Sequence, residues 1–251
     1  MSTGGESDDG VVQEPEEYED LRTAFHHALD EIRETTAKLA AGVTENIPRA
    51  TEILLRQDLE GAEYLIMADD QVDKRVIELE DRCYEVLALQ APVAGDLRRL
   101  MAALRIIAEV ERSNDLAVNI CKAARRIYGH PLDPRLRGII QRMGDQAHHL
   151  FKEATESYMT SDATRAAALA DMDSYLDDLQ RQFIHAIFES HAAENIDLQV
   201  AVQLAVVARF YERIGDHAVN IGERVRYLVE GWVGDDDDAR RITRAAASDL
   251  D

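Results

Sequence analysis

The feature that most constrains the fold is a motif that occurs twice in the chain. Glu111–Asp115 reads E-R-S-N-D, and Glu212–Asp216 reads E-R-I-G-D at an offset of 101 residues. Asp96 and Asp197 lie at the same offset, ahead of the two motifs. A pattern that recurs at a fixed spacing is typical of a duplicated structural unit. The chain is therefore expected to fold as two similar units in tandem.

Each unit has the periodicity of long helices. Apolar residues recur at steps of three and four, as in Leu21, Phe25, Leu29 and Ile32, which is the period of one helix face. The 251 residues include only 13 glycines and 5 prolines, few for a sandwich or a barrel. Helices joined by short turns pack antiparallel. We predict an all-α protein made of two tandem homologous three-helix bundles, with six long antiparallel helices and no sheet.

Prolines and capping residues in the sequence predict where the six helices begin and end. Pro48 predicts a kink or a break in the first helix, near Asn46. The predicted spans are Glu16 to Arg56, Leu59 to Gln90, a helix capped by Asp96 that ends near Tyr128, Pro134 to Met159, a helix capped by Ser161 or Asp162 that ends near Ala193, and one opened by Asn195 or Asp197 that ends near Glu230. The corresponding domains are a disordered acidic arm at 1–15, bundles at 16–130 and 131–233, and an acidic flexible tail at 234–251.

The charge of the chain excludes two classes of partner. The net charge is −21, with eight acids and no base in residues 1–20, and the chain between the acidic ends keeps −10. Binding to duplex nucleic acid needs a basic face, and docking on anionic lipid needs a basic patch. We therefore predict no nucleic-acid partner and contact with a membrane only through other proteins.

Compartment signals in the sequence point to the cytoplasm. The acidic start lacks the basic and apolar regions of a signal peptide. The longest uncharged apolar run, Leu198–Ala208, is too short to span a membrane. Cys83 and Cys121 fall inside helical patterns, and buried free thiols are typical of a reducing compartment.

The repeated motif carries an acidic pair. Glu111 and Asp115 are four residues apart, which places both on one helix face with Cβ atoms about 5–6 Å apart. A lone pair of this kind usually marks a solvated face. Here, however, Glu111 continues an apolar stripe formed by Leu100, Leu104 and Ile107. This position indicates an acid that faces another helix.

The acidic pair recurs in the second repeat, and the helix before each motif carries a pair at the same spacing. The candidate metal ligands are therefore Asp69, Asp73, Glu111, Asp115, Asp173, Asp177, Glu212 and Asp216. Four converging carboxylates cannot all stay ionised without a counter-charge, so some protonate, arginines neutralise them, or a cation binds. Carboxylate oxygens suit Mg²⁺, Ca²⁺, Mn²⁺ or iron. Asn119, Asn220 and His217 are weaker candidates beside these acids.

With these acidic motifs the chain resembles the PhoU family, whose members regulate phosphate uptake. Tyr211–Glu223, Y-E-R-I-G-D-H-A-V-N-I-G-E, resembles the second signature of that family almost letter for letter. Glu109–Cys121 resembles the first signature more loosely, and Leu89–Arg98 resembles the turn before the third helix. The resemblance covers about residues 18–231 and leaves out the acidic ends.

The resemblance implies two related three-helix bundles whose acidic pairs hold metal ions such as iron, Mn, Mg or Zn in multinuclear clusters. It also implies a homodimer that is not an enzyme. Such a protein acts as an adaptor between the ATPase subunit of the phosphate ABC transporter and a sensor histidine kinase, and holds the starvation response down when phosphate is plentiful. Asp171 and Asp178 are alternatives to the Asp173 and Asp177 pair, so the register of the fifth helix stays open.

Two other functions remain open from the sequence. One is a carboxylate-bridged metal enzyme, although the Glu-x-x-His motif of ferritin-like enzymes does not occur in the chain. The other is a metal-free helical scaffold whose acids pair with arginines along the same helix. The pairs that would do so are Arg112–Asp115, Arg213–Asp216 and Arg209–Glu212.

Overall fold

The computed structural model describes residues 16–231, and the elements in that range are all α-helices. They are α1 (Glu16–Arg56), α2 (Leu59–Gln90), α3 (Ala94–Arg126), α4 (Pro134–Thr160), α5 (Ala163–Ala192) and α6 (Leu198–Glu230). The predicted all-α class is confirmed, and residues 16–231 contain no strand. The predicted arm at 1–15 and the predicted tail at 234–251 lie outside the described residues.

Aspartate side chains cap four of the helices. Asp58 and Asp133 cap α2 and α4. Between the predicted alternatives, Asp162 and Asp197 are the residues that cap α5 and α6, each by accepting a backbone N–H at 2.9 Å. These bonds satisfy N–H groups that the first helical turn leaves unpaired.

The predicted cap of α3 is wrong. This helix begins at Ala94 after Val93, which makes no side-chain capping bond. Asp96 lies inside the first turn, where a carboxylate is still favoured by the positive end of the helix dipole. Its Oδ2 lies 3.7 Å from Nε2 of His26 on α1.

Helix α1 continues through Pro48 without a break. Ile47 and Ala50, on either side of it, are fully buried, and α1 packs against α2, α3 and α4. Most helical stability in proteins comes from such packing. Here the packing keeps α1 helical even though Pro48 removes one of its backbone hydrogen bonds.

Helix contacts divide into those within a unit and those between units. All three pairs of α1, α2 and α3 are in contact, and so are all three pairs of α4, α5 and α6. The units meet where α1 packs on α4 and α3 packs on α6, and one buried apolar cluster runs through both. Tyr211, fully buried on α6, reaches α1 through its hydroxyl, which lies 2.8 Å from Oγ1 of Thr51.

Candidate metal centres

The first carboxylate cluster consists of Asp69 and Asp73 on α2 with Glu111 and Asp115 on α3. Because α2 and α3 pack together, the two predicted pairs come within electrostatic range of one another. Burial, and then the charges of Asp73 and Asp115, raise the pKa of Asp69. Burial, and then Asp115 and Asp73, likewise raise the pKa of Glu111. The four acids therefore behave as one group of mutually repelling charges.

The second carboxylate cluster consists of Asp173 and Asp177 on α5 with Glu212 and Asp216 on α6. Burial raises the pKa of Glu212 to about 7, with further contributions from Asp216, Asp177 and Asp173. Asp173 is only 2% exposed. The second cluster thus lies deeper in the protein than the first, in which Asp73 and Asp115 are exposed.

Burial settles the register of α5. Asp171 and Asp178, the alternative pair, are both exposed. Asp178 forms an ion pair with Arg181 on the outer surface of the same helix. The predicted pair of Asp173 and Asp177 is the one that meets the acids of α6. The acids of α5 lie 104 residues after those of α2, whereas the two motifs lie 101 residues apart, which predicts a second turn three residues shorter than the first. That prediction is wrong, because the connection between α5 and α6 spans 193–197 and is longer than the 91–93 connection between α2 and α3.

Arginines neutralise the acids only in part. Nη1 of Arg209 lies 2.8 Å from Oε1 of Glu212, so one of the intrahelical pairs considered above is present. The other oxygen of Glu212, Oε2, is buried and accepts no hydrogen bond from any residue in 16–231. Arg112 lies 3.5 Å from Oε1 of Glu109 and so turns toward that residue instead of Asp115.

The two clusters differ in the residue that supports the first aspartate. In the first unit, buried Asn114 donates from Nδ2 to Oδ1 of Asp69 at 2.8 Å, and Asn46 of α1 donates to Oδ1 of Asn114 at 2.9 Å. At the matching place in the second unit stands Gly215, where an added Cβ would lie 2.3 Å from Oδ1 of Asp173. Glycine therefore allows α5 to bring this carboxylate directly onto α6.

Sequence reasoning missed the support given by Asn46 and Asn114. The signal available was the change from N to G inside the repeated motif, at Asn114 and Gly215, one of two positions at which the copies differ. A change of residue at a position that otherwise repeats indicates a local difference between the two units.

A polar contact between α3 and α6 joins the two units. It lies between the two carboxylate clusters. Nδ1 of His217 lies 2.6 Å from Oε2 of Glu109, and Asn220 donates to the same oxygen at 3.2 Å. Burial by itself would raise the pKa of Glu109, but these two hydrogen bonds, together with the charges of His217 and Arg112, outweigh it and lower that pKa. His217 and Asn220, considered above as metal ligands, are thus engaged with α3 of the other unit.

The chemistry of both clusters fits hard cations, since each offers only carboxylate oxygens in mutual repulsion. No group of three or more acidic, histidine or cysteine side chains within residues 16–231 is arranged as a ready-made metal site. The eight carboxylates would therefore have to draw inward around an ion. Metal ligation by these residues stays a prediction.

Comparison with known proteins identifies the family. The sequence profile of the PhoU domain matches the chain twice, at residues 36–124 and 140–225. The chain belongs to the PhoU family. The double match agrees with the internal repeat, because each matched stretch contains one copy of the acidic motif.

Two relatives in this family each share about a third of their residues with the chain. PhoU homolog 1 of Mycobacterium leprae, a phosphate-specific transport system accessory protein, is 33% identical over 86% of this chain and 97% of its own length. A PhoU homolog from Aquifex aeolicus with the same description is 34% identical over 82% of this chain and 92% of its own length. These relatives are named as accessory proteins, which supports the prediction that the chain is not an enzyme.

Solved structures show the same fold. PhoU from Pseudomonas aeruginosa matches 83% of this chain and 100% of its own at a TM-score of 0.79 and 25% identity. The phosphate transport regulatory protein PhoU from Streptococcus pneumoniae matches 84% of this chain and 99% of its own at a TM-score of 0.77 and 24% identity. None of the helices described here combines the length and apolar composition that a membrane span requires.

Proposed function

We propose that the chain is a cytoplasmic regulator of phosphate uptake that works by binding other proteins. Its relatives are named as accessory proteins of the phosphate-specific transport system. In this proposal the protein forms a homodimer and contacts the ATPase subunit of the phosphate ABC transporter and the sensor histidine kinase of the phosphate response. It holds that response down when phosphate is plentiful, and it reaches the membrane only through these partners.

We further propose that the two carboxylate clusters bind cations. The observation that carries this step is the duplicated set of acids, in which burial and repulsion between neighbouring carboxylates raise the pKa of Asp69, Glu111 and Glu212. A cation would relieve that repulsion and supply a positive charge that links two helices. Iron, manganese, magnesium and zinc are the candidate ions. The buried Oε2 of Glu212, which accepts no hydrogen bond within residues 16–231, supports the second cluster as a cation site.

A metal-free scaffold is the second candidate, because the ion pair between Arg209 and Glu212 is present. It predicts that the acids are neutralised by arginine and protonation alone. Metal content separates the two candidates directly.

The metal test uses the full chain purified without chelator. Glu212→Ala combined with Asp216→Ala should lower bound metal by roughly half, since the first carboxylate cluster stays intact. Glu45→Ala combined with Asp171→Ala is the matched control, because both residues are exposed acids outside the clusters. Elemental analysis should show full metal content in the control. Equal metal content in both double variants would remove Glu212 and Asp216 as ligands.

The adaptor role is tested by binding kinetics. Because the chain carries a net charge of −21, partner faces rich in lysine and arginine should attract it over distances that salt screens, about 8 Å at physiological ionic strength. Association with the ATPase subunit or the kinase should therefore slow as salt rises, while dissociation changes less. Binding to neither purified partner at micromolar concentration would contradict the adaptor role, whatever the metal content.

A further inference from the structure

A cavity at one end of the molecule is lined by three arginines. It has a volume of about 290 Å³ and lies among α1, α3 and the ends of α4 and α6. Arg33, Arg98 and Arg99 form its polar wall, and Leu29 and Leu100, both buried, form part of its apolar wall. Pockets for small molecules have volumes of about 300–1,000 Å³, so this cavity suits a small ligand.

The three arginines have no carboxylate partner among the described residues. Acids outnumber bases by 49 to 28 in the chain, and many of its described arginines form ion pairs. Arg33, Arg98 and Arg99 form none within the described part of the chain, although Asp30 also lines the cavity. Nε of Arg98 is buried and donates no hydrogen bond to any of those residues.

Helix capping accounts for only one of these arginines. Arg33 donates to the main-chain oxygens of Tyr158 and Met159 at the end of α4, where a positive charge is favoured by the helix dipole. The guanidinium of Arg98 lies near the end of α6, since an added Cβ on Gly231 would be 3.5 Å from its Nη1. Its Nε nevertheless donates to no carbonyl there. Within residues 16–231, Arg98 thus keeps a buried donor beside the cavity that no acceptor uses.

From this arrangement we infer that the cavity binds a small oxyanion of the phosphate type. Guanidinium groups present planar pairs of donors that match phosphoryl oxygens. Gly95, in the first turn of α3, also lines the cavity, and main-chain N–H groups at the start of a helix favour negative charge. The site is separate from both carboxylate clusters and does not depend on metal.

The chain itself contains carboxylates that could engage these arginines in the same way as a free oxyanion. Asp235–Asp238 is a run of four carboxylates that begins four positions after Gly231, the residue next to Arg98. A free oxyanion and these carboxylates would compete for the same guanidinium groups. We assign the cavity to the free oxyanion because its small volume, about 290 Å³, suits a compact ion.

The experiment titrates inorganic phosphate into the full chain by calorimetry, with ionic strength held constant by chloride. The wild-type protein should bind one phosphate per chain with saturation. Arg98→Gln should weaken binding about tenfold to a hundredfold, as expected for the loss of a charge-assisted hydrogen bond, and Arg98→Lys should weaken it less. Arg125→Gln is the matched control, because Arg125 is exposed and lies about 40 Å further along α3. It should bind phosphate like the wild type.

Each outcome decides the assignment. Equal affinity in wild type and Arg98→Gln, or no saturable binding in any variant, would overturn it. A variant carrying Asp235→Asn, Asp236→Asn, Asp237→Asn and Asp238→Asn separates the two sources. Tighter phosphate binding in that variant supports the site and shows that the run competes for it, while unchanged binding supports a site free of the run. Should Arg98→Gln lose its helical circular dichroism, Arg99→Gln, at an exposed position, makes the same test with an expected loss of affinity.

Discussion

Replacing Glu212 by glutamine tests the electrostatic cost of the second carboxylate cluster. The pKa of Glu212 rises to about 7 from its ordinary 4.5, first because the side chain is buried and then because Asp216, Asp177 and Asp173 repel its charge. The folded state therefore holds this proton more tightly than the unfolded state does. Ionising Glu212 at alkaline pH costs the folded state about 3 kcal/mol. Glutamine keeps the shape of the side chain and cannot ionise.

The sign of the pH dependence follows from the raised pKa. Stability that depends on the proton of Glu212 is fully present below pH 4.5 and is lost as the pH rises through about 7. Glu212→Gln removes that loss, and the pKa of about 7 already includes the attraction of Arg209, which lowers it. At pH 8, without metal, the variant should be more stable than the wild type by about 3 kcal/mol. Below pH 5 the two should differ little.

The assay is urea unfolding followed by circular dichroism at pH 5, 6, 7 and 8, with a chelator present. Glu45→Gln, at an exposed position of α1, is the matched control and should follow the wild type at every pH. A Glu212→Gln protein that is no more stable than the wild type at pH 8 would refute the reasoning. That result would mean that Arg209 neutralises the cluster without help from a proton or a cation.

Two glycine substitutions give further predictions. Gly222→Ala should destabilise the protein by about 1–3 kcal/mol, because the new Cβ would lie 2.9 Å from the main-chain oxygen of Ala166 and 2.6 Å from Cδ1 of Leu169, which forces α5 away from α6. Gly138→Ala, where a Cβ meets nothing within 4 Å, should stabilise it by about 0.5–1 kcal/mol through helix propensity alone. Thermal unfolding checks both, and equal melting temperatures for the two variants would contradict the close packing of α5 on α6.

The sequence predicted most helix boundaries because the signals at helix ends are local. Asp162 and Asp197 cap their helices from positions that precede an apolar periodic run. The same signal failed at Asp96, because an aspartate is favoured both as a cap and within the first turn, and the two positions look alike in sequence. The break considered at Pro48 is absent, since the continuity of α1 depends on packing against three neighbouring helices, which the pattern of a single helix does not contain.

The candidate site was predictable only as far as spacing determines it. Acids four residues apart share a helix face, and that rule paired Glu111 with Asp115 and Glu212 with Asp216 correctly. On α5 the same rule left the register open, and burial of Asp173 resolved it. The role of Gly215 depends on how closely α5 approaches α6, which is a property of packing and not of either helix alone.

This close approach makes the duplicated motifs chemically unequal. In the first carboxylate cluster Asp73 and Asp115 are exposed, so water and salt screen part of the repulsion. In the second, Asp173 is 2% exposed and its neighbours repel one another with less water between them, which strengthens the interaction. A cation in the first cluster would keep more of its hydration, whereas one in the second would exchange water for carboxylate oxygens. A bound cation would therefore stabilise the second cluster more than the first, and a signal that depended on cation binding would act mainly through α5 and α6.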